Sequence, residues 1–452
     1  MSLLAPRDHP SRTTLSLMSA STPTAATAAA SEPPTPTIAV AGVILAMALV
    51  AVGNGLMFAY IPVRLGAEGY DPTWAGMILT GLSAGGIAGC LLTAWLVRRV
   101  GHARAFMVFS ALIVLSNAFV GAGTFPVVWV AARALYGFAI CGMFVVAQSW
   151  LNDAVGNAVR GRVMAIFYVC YIVGLGVGSY LMGFLDISAA AAPMLGIVFT
   201  ALSILPVGLT TLHQPPPPEG ASVAIREAWK ISPVGVAGML AVGGLSMMIA
   251  GFAPIHATAS GYSQQQVATL MFAMPLGTLL FQIPFGWISD RTDRRYVLIA
   301  ASILVVAAGL AAARFDGGTL LVMVLIYMVW SGASESIYSV ASAHANDRAA
   351  RDDMVTLSSS MLFAWAVSGF VVPGIGTMLT AIYGTQAFMG VAIAIAAIYC
   401  AFVVWRVLRA EAVPSDETGS FQPMTAQAPL PVELAFSPAD EPPSHKAPTS
   451  TA

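Results

Sequence analysis

The chain has 452 residues, of which 58% are hydrophobic and only 9% are charged, and its mean hydropathy is +0.80. A water-soluble domain carries about a quarter charged residues, so this composition excludes a soluble protein and indicates an integral membrane protein. The formal net charge of −1 averages over both sides of a membrane, so only the position of each charge along the chain is informative.

Apolar stretches long enough to cross a bilayer, which takes about 20 helical residues, recur along most of the chain. We predict an all-α polytopic membrane protein with twelve spans, near residues 38–61, 73–97, 103–122, 126–150, 163–185, 191–212, 233–256, 265–289, 296–313, 318–343, 354–380 and 385–408. Arginine and lysine follow the even-numbered spans, whereas the other connections hold only Arg64 and Arg314. By the positive-inside rule, we expect a cell (inner) membrane protein with both termini in the cytoplasm.

The ends of the chain and its middle differ in composition from the spans. Residues 1–36 are rich in Ser, Thr, Ala and Pro and lack the apolar segment of a signal peptide, so we expect a disordered cytoplasmic arm, with Met18 as an alternative start. Residues 410–452 are expected to form a disordered tail. Four prolines, Pro215 to Pro218, cannot continue a helix. We therefore predict a six-helix half at 37–212, a cytoplasmic linker at 213–232 and a second half at 233–409.

Two landmarks recur along the chain at nearly the same spacing. The basic turn from Gly286 to Arg295 has a degenerate copy that begins at Ala94, 192 residues earlier (286 − 94). Spans four and ten end in Asn-Asp pairs whose asparagines, Asn152 and Asn346, are 194 residues apart (346 − 152). Two landmarks at one period indicate an internal repeat, one copy in each half.

Several short motifs carry a family resemblance. The turn from Gly286 to Arg295 has a glycine, three residues, then Asp290-Arg291 and a basic pair, and Arg133-Ala134-Leu135-Tyr136-Gly137 lies in span four. Further motifs are Gly53-Asn54-Gly55, Gln148 to Asn152 with Arg160-Gly161-Arg162, Gln282 to Gly286, and Tyr338 with His344 to Arg348. The first two resemble motifs A and B of the major facilitator superfamily of transporters. Together the motifs resemble its YcaD-like branch, over about residues 38–408.

The resemblance implies two pseudo-symmetric six-helix halves that handle a solute between them, near the bilayer midplane. It also associates Arg133 with proton coupling, as in proton-driven relatives. The chain departs from the family pattern in both copies of motif A. The first copy has Arg98 in place of the aspartate, and the second has Asp293 where a glycine is usual. Gln148 stands where relatives often have glutamate, which puts an acidic role at that position in doubt.

The basic turns have a mechanical interpretation. Asp290 can accept hydrogen bonds from a helix N-terminus, where the helix dipole favours a carboxylate. The neighbouring arginines can pair with acids such as Asp153 across the cytoplasmic face, closing it in one state and opening it in another; alternatively, they only set the topology. The predicted cytoplasmic gate comprises Asp290, Arg291, Arg294, Arg295, Gly286, Arg98, Arg99, Gly101, Asp153 and Arg162.

Span ten carries a polar and aromatic stripe. Tyr327, Trp330, Ser331, Ser334, Glu335, Tyr338 and Ser342 recur at steps of three and four residues, which places them on one helix face. Glu335 is the only acidic residue well inside a predicted span, and a carboxyl there can gain and lose a proton as its surroundings change. We predict a proton or cation site at Glu335; a static hydrogen-bonded carboxyl and direct substrate binding are the alternatives.

Arg133 is the second charged residue expected inside the membrane. It lies roughly 10 Å deep in span four, where it either shapes a functional cavity or is satisfied by helix carbonyls. Glu335 is expected about 12 Å deeper, so direct pairing between the two is not predicted. The other candidates for a substrate cavity, with interhelical packing as the alternative, are Gln148, Asn54, Tyr171, Gln282, Trp365 and the residues of the span-ten stripe.

No cofactor, metal site or enzyme activity is expected. The four cysteines have no ligand spacing and are interpreted as packing residues. Three histidines, His102, His256 and His344, lie near span ends, where water can solvate them. The sequence has no nucleotide-binding loop of the type Gly-x-x-x-x-Gly-Lys-Ser/Thr, so transport would be driven by a gradient.

The predicted function is secondary active transport of a small solute by alternating access, coupled to protons, with export favoured. The expected partners are the solute, H⁺ and the lipid bilayer, without nucleic acid, and the protein is expected to be a monomer. Solute uptake and a non-transporting membrane sensor on the same fold are the alternatives.

Overall fold

The computed structural model describes residues 37–209, 223–350 and 353–409, and this part of the chain is helical. The described residues contain twelve helical stretches that are long and apolar enough to cross a membrane, which confirms the predicted fold class. The α-helices are α1 (Thr37–Ala67), α2 (Pro72–Val100), α3 (His102–Gly121), α4 (Pro126–Ala154), α5 (Asn157–Leu181), α6 (Ala191–Gly208), α7 (Ile225–Ile231), α8 (Pro233–Ser246), α9 (Phe252–Ala259), α10 (Gln264–Ser289), α11 (Arg294–Arg314), α12 (Leu320–Asn346), α13 (Met354–Tyr383) and α14 (Ala387–Arg409).

Proline and short polar side chains begin several of these helices. Pro72 and Pro126 occupy the first turns of α2 and α4, where a missing N–H breaks no helical hydrogen bond. Asp71 caps α2 by accepting a hydrogen bond of 2.9 Å from a backbone N–H two residues later. Ser263 and Gln266 form a capping box at the start of α10. Local sequence thus sets where these helices begin, whereas apolar composition places them in the membrane.

The seventh span is interrupted at mid-length. α8 and α9 are joined by a π-helical turn, Met247–Gly251, instead of continuing as one regular α-helix. A π-turn holds an extra residue, shifts the side chains that follow it, and occurs frequently at functional sites. The span expected at 233–256 as one helix therefore contains a bulge, and Met247 of this bulge borders the cavity described below.

The same helix pairs pack in both halves of the chain. In the first half, α1 packs on α5 and α6, α2 on α4, and α3 on α4 and α6; in the second half, α8 packs on α13 and α14, α10 on α12, and α11 on α12 and α14. A side chain added at Gly85 would collide with the carbonyl of Ala134, and one at Gly277 with the carbonyl of Met328. The two glycines are 192 residues apart (277 − 85), and the residues whose carbonyls they approach are 194 apart (328 − 134). The sequence repeat is therefore also a repeat of packing.

Two equivalent helix pairs join the halves. α2 packs against α13, and α5 packs against α10. Because α10 repeats α2 and α13 repeats α5, the two contacts are related by pseudo-symmetry. The halves also meet at the end of the bundle opposite the basic turns: Gln264 donates hydrogen bonds of 2.5 and 2.7 Å to the carbonyls of Met182 and Leu185. At the same end, Gly76 lies so close to Thr377 that no side chain fits between them.

The short helix α7 precedes the second half. Trp229 on α7 is 42% exposed, and its ring centroid lies 5.9 Å from that of Phe402. The arm at 1–36 and the tail at 410–452 lie outside the described residues, as do residues 210–222 at the junction of the first half and the linker. The domain boundaries placed there stay predictions.

Candidate functional site

A cavity of about 100 Å³ lies between the halves, hereafter the central cavity. Its walls come from α1, α2, α4 and α5 of the first half and from α13 and the π-turn of the second. Gly137 and Phe144 border it near the middle of α4, which places the cavity close to mid-depth in the bundle. Aromatic and aliphatic side chains, including Phe58 and Trp365, form most of its surface.

Three of the predicted cavity residues line the central cavity: Asn54, Tyr171 and Trp365. Asn54 donates a hydrogen bond of 3.2 Å to the Tyr171 hydroxyl. Within the described residues, Asn54 Oδ1 and Trp365 Nε1 have no hydrogen-bond partner. Buried polar atoms are normally satisfied, so a small shift of these two side chains would provide one acceptor and one donor to water or to a solute.

Two cysteines also line the central cavity. Cys90 on α2 and Cys141 on α4 place their sulfur atoms 2.8 Å apart. The sequence interpretation as simple packing residues therefore missed their cavity position. The repeat gave no guide to it: Cys141 lies 194 residues before Glu335 (335 − 141), at the equivalent position of span four, yet Glu335 does not border this cavity.

Arg133 borders a smaller cavity of about 30 Å³, hereafter the arginine cavity. Its side chain is 2% exposed, and its guanidinium carbon lies 4.1 Å from the ring centroid of Tyr136 and 5.7 Å from that of Phe58. In the described part of the chain, Arg133 Nη1 has no hydrogen-bond partner. Gly137 lets α4 approach α2 here, because a side chain at that position would collide with the carbonyl of Leu82.

Glu335 lies where helices of both halves meet. Its Oε1 accepts a hydrogen bond of 2.5 Å from Ser246 of α8. Tyr168 of α5 lies close enough to interact electrostatically with the carboxylate, and it also approaches Gln282 of α10. Glu335 is partly exposed but does not border the central cavity. None of these bonds connects Glu335 with Arg133.

The rest of the α12 stripe packs against helices instead of lining the central cavity. Trp330 stacks on Phe388 of α14 with ring centroids 5.8 Å apart, and the Ser331 hydroxyl lies 3.3 Å from that of Thr278 on α10. The residues predicted to share one cavity therefore contact different helices. Tyr327, Trp330, Ser331, Ser334 and Tyr338 are all buried, and so are Gln148 and Gln282 outside the central cavity.

The turn between α10 and α11 holds a buried ion-pair network. Arg294 Nε donates to Asp347 Oδ2 at 2.6 Å, and its Nη1 donates to Ser289 and Asp290 at 3.0 and 3.2 Å. The Arg294 and Asp347 side chains are only 2% and 5% exposed. Asp153, the expected partner, is exposed and takes part in none of these bonds. These pairs thus connect helices within the second half.

Asp293 and Arg295 complete this turn. The Asp293 carboxylate accepts hydrogen bonds of 3.0 Å from the Arg295 backbone N–H and 2.8 Å from its side chain. Burial raises the pKa of Asp293, but the bonds from Arg295 outweigh burial, so the pKa lies below its usual value. Arg291 is exposed and stacks over Trp287, with its guanidinium carbon 4.0 Å from the ring centroid. Gly286 is buried and accepts from the Ser289 hydroxyl at 2.9 Å.

The turn between α2 and α3 is built differently. Gly101 has φ +82° and ψ 167°, and His102 beside it lies 3.1 Å from the Ser149 hydroxyl through Nε2. Arg99 lies over Trp95 at 5.7 Å, as Arg291 lies over Trp287 in the second half. Arg98, Arg99 and Arg162 are exposed.

The three histidines near span ends are buried, contrary to the expectation that water solvates them. His102, His256 and His344 are 1%, 4% and 3% exposed. His256 shows the reason, because Asp316 and Thr385 from two connections fold over the helix end and bond its ring nitrogens at 2.9 and 2.8 Å. Across the described residues, no three His, Cys, Asp or Glu side chains lie together as metal ligands would.

Comparisons with known proteins agree with this architecture. The profile of the Major Facilitator Superfamily matches residues 43–240 and 234–442. The uncharacterized MFS-type transporter YcaD of Escherichia fergusonii is 24% identical over 348 residues, covering 75% of this chain and 87% of the relative. YcaD of Shigella flexneri is 24% identical over 342 residues, with the same coverage.

Solved transporter structures share the fold. The nucleoside transporter NupG, in a mutant form, matches with a TM-score of 0.66 at 11% identity, covering 82% of this chain and 100% of that chain. The human organic anion transporter MFSD10 matches with a TM-score of 0.57 at 15% identity and the same coverage. The chain therefore belongs to the major facilitator superfamily of membrane transporters, with YcaD-type proteins among its relatives.

Proposed function

We propose that this protein is a proton-coupled secondary transporter that moves a small solute by alternating access, with export favoured over uptake. Glu335 is the observation that carries this proposal. A carboxyl embedded in α12, bonded to Ser246 of α8 and facing Tyr168 of the other half, would change its surroundings whenever the halves move. Such a carboxyl can bind a proton in one conformation and release it in another.

The pseudo-symmetry of the bundle supports alternating access. The α2–α13 and α5–α10 contacts are equivalent, so rocking one half on the other exchanges similar interfaces. The bonds from Gln264 and the close approach at Gly76 support a conformer that is closed at the end opposite the basic turns. We place the basic end in the cytoplasm of an inner-membrane monomer, following the positive-inside rule. The Arg294–Asp347 network, which lies within the second half, would then hold that half rigid at the cytoplasmic gate.

Export is favoured by the chemistry of the central cavity. Its apolar walls suit a hydrophobic or amphipathic solute, and such solutes, weak acids among them, cross the bilayer in their uncharged forms without a carrier. A carrier is then needed mainly for the opposite direction. The solved relatives are named for nucleosides and for organic anions, and their identities of 11% and 15% leave the solute class of this chain open.

Reconstituted proteoliposomes test this proposal. A panel of small organic solutes is offered under an imposed pH gradient of either sign, and accumulation is compared with protein-free liposomes. We expect accumulation of at least one solute to follow the pH gradient. Glu335→Gln should abolish the gradient-driven part while solute exchange without a gradient persists. Asp186→Asn, which changes an exposed carboxyl between α5 and α6, is the matched control.

The outcomes separate the parts of the proposal. If Glu335→Gln accumulates solute with an unchanged pH dependence, Glu335 is not the coupling site. If no solute exchanges at all, the transporter assignment itself fails, and the sensor alternative gains support. If solute accumulates only when the outside is more acidic than the lumen, protons and solute move in the same direction, as in an uptake system. That result would contradict export.

A further inference from the structure

Among the residues that the structure describes, the guanidinium of Arg133 has no counter-ion, and its environment is apolar. Its neighbours are the rings of Tyr136 and Phe58, and Nη1 has no partner among the described residues. An aromatic face attracts a cation, but it does not replace a hydrogen-bond acceptor or neutralise the charge. A buried charge is costly unless it is paired, so this site favours the arrival of an anion.

The charge of Arg133 has no competitor on the cavity walls. Among the described residues that line the central and arginine cavities, Arg133 alone is charged. Glu335 is engaged by Ser246 and borders neither cavity. A cationic solute would therefore meet a like charge in apolar surroundings, and a neutral acceptor could bond the guanidinium but would leave its charge uncompensated. An anion does both, so it improves the electrostatics of this site most.

The two cavities are adjacent. Phe58 and Leu82 line both of them, so a molecule that displaced these side chains would extend from one cavity into the other. Along α4, Gly137 borders the central cavity one helical turn from Arg133, about 6 Å away. That distance matches a molecule with an acidic group at one end and an apolar body at the other.

From this arrangement we propose that the transported solute is an amphipathic organic anion. Its acidic group binds Arg133, and its apolar body occupies the central cavity beside Phe58, Phe144 and Trp365. The unpartnered Asn54 Oδ1 and Trp365 Nε1 would satisfy one polar substituent on that body. The binding site follows from the geometry, whereas the word "transported" rests on the proposed function.

The native cysteines provide a binding assay that needs no transport. Cys90 and Cys141 line the central cavity, whereas Cys170 and Cys400 do not and serve as internal controls. The reduced protein in lipid nanodiscs is treated with N-ethylmaleimide, and alkylation of each cysteine is followed by mass spectrometry. The probes are phenylacetate and naphthylacetate, each compared with its neutral amide and with the corresponding amine. These sets differ in charge while the apolar body is kept.

We expect the carboxylates to slow alkylation of Cys90 and Cys141, and the amides and amines to have little effect. Arg133→Gln should raise the concentration for half-protection by about 10- to 100-fold, the loss expected for a hydrogen bond to a charged group. Arg133→Lys keeps the charge and should retain part of the protection. Equal protection by amides or amines, protection that persists in Arg133→Gln, or no protection by either carboxylate would overturn the proposal.

The wild-type comparison of the three charge states holds even if an Arg133 variant fails to fold. Proteoliposome flux of the same probes then separates the two proposals. Protection by a carboxylate without flux leaves the anion site intact and contradicts the transporter function. Flux of the amide or amine that is independent of Arg133 supports transport and contradicts the anion site.

Discussion

The α2–α3 and α10–α11 turns descend from one repeated pattern but are stabilised in different ways. Both stack an arginine on a tryptophan, Arg99 on Trp95 and Arg291 on Trp287. The second turn adds a buried network in which Arg294 bonds Asp347, whereas His102 occupies the equivalent position in the first turn and contacts a serine.

The difference shows which features of a repeat belong to the fold and which belong to one half. The Trp–Arg stacks lie at the surface, one in each half, where they can mark the same membrane boundary. The Arg294–Asp347 pair is buried, and its geometry ties the start of α11 to the end of α12. We therefore expect the second turn to move as a rigid unit, and the first turn to tolerate loss of its charges.

The largest expected effect comes from Asp347, the acid that caps the end of α12. Asp347→Asn leaves Arg294 buried with only Asp290 as a charged neighbour among the bonds described above, so we expect a loss of about 3 kcal/mol in the free energy of unfolding. Asp153→Asn, at the exposed equivalent position, should change it by less than about 0.5 kcal/mol. Titration with sodium dodecyl sulfate in mixed micelles, followed by tryptophan fluorescence, measures both.

Equal losses for these two variants would contradict the asymmetry between the halves. Asp290→Asn is an informative third variant, because its bond to Arg294 is longer, at 3.2 Å, and its side chain is 32% exposed. Its effect should fall between those of Asp347→Asn and Asp153→Asn.

The sequence predicted the fold better than it predicted the site. Length, hydropathy and arginine position depend on the bilayer alone, so the twelve spans could be found without tertiary information. The π-turn at Met247–Gly251 could not be read the same way. Pro254, three residues after it, cannot donate a helical hydrogen bond to Ala250, but a proline alone does not distinguish a kink from an extra residue.

The site depends on where helices face, which periodicity only partly determines. Asn54, Tyr171 and Trp365 line the central cavity, whereas Trp330 on the α12 stripe packs on Phe388. A polar or aromatic stripe predicts contact with protein or water, and only the packing of neighbouring helices decides which. The sequence could not show that Arg294 pairs with Asp347 instead of Asp153. The two acids occupy equivalent positions of the repeat, and only the packing of the helices distinguishes them.

Backbone conformation gives the next largest effect. Gly101 has φ +82° and ψ 167°, a region that is essentially restricted to glycine, so Gly101→Ala should cost about 2 kcal/mol in the free energy of unfolding. The equivalent residue of the second turn, Asp293, has φ −56° and carries no such strain. Arg104→Ala, at an exposed helical position of α3, is the control and should have little effect. A cost for Gly101→Ala no larger than the control's would show that the first turn can rearrange freely.

The smallest effect is the response of the second turn to acid. Hydrogen bonds from Arg295 hold the pKa of Asp293 below its usual value, so the folded state binds this proton less readily than the unfolded chain. The stabilisation is therefore present above the unfolded pKa, near 4, and is lost as pH falls through the lower folded pKa. Asp293→Asn keeps the shape and the capping oxygen but removes the charge. Its thermal midpoint should lie below that of wild type at about pH 7 and approach it in acid; a difference that is constant with pH would mean that the charge of Asp293 does not stabilise the turn.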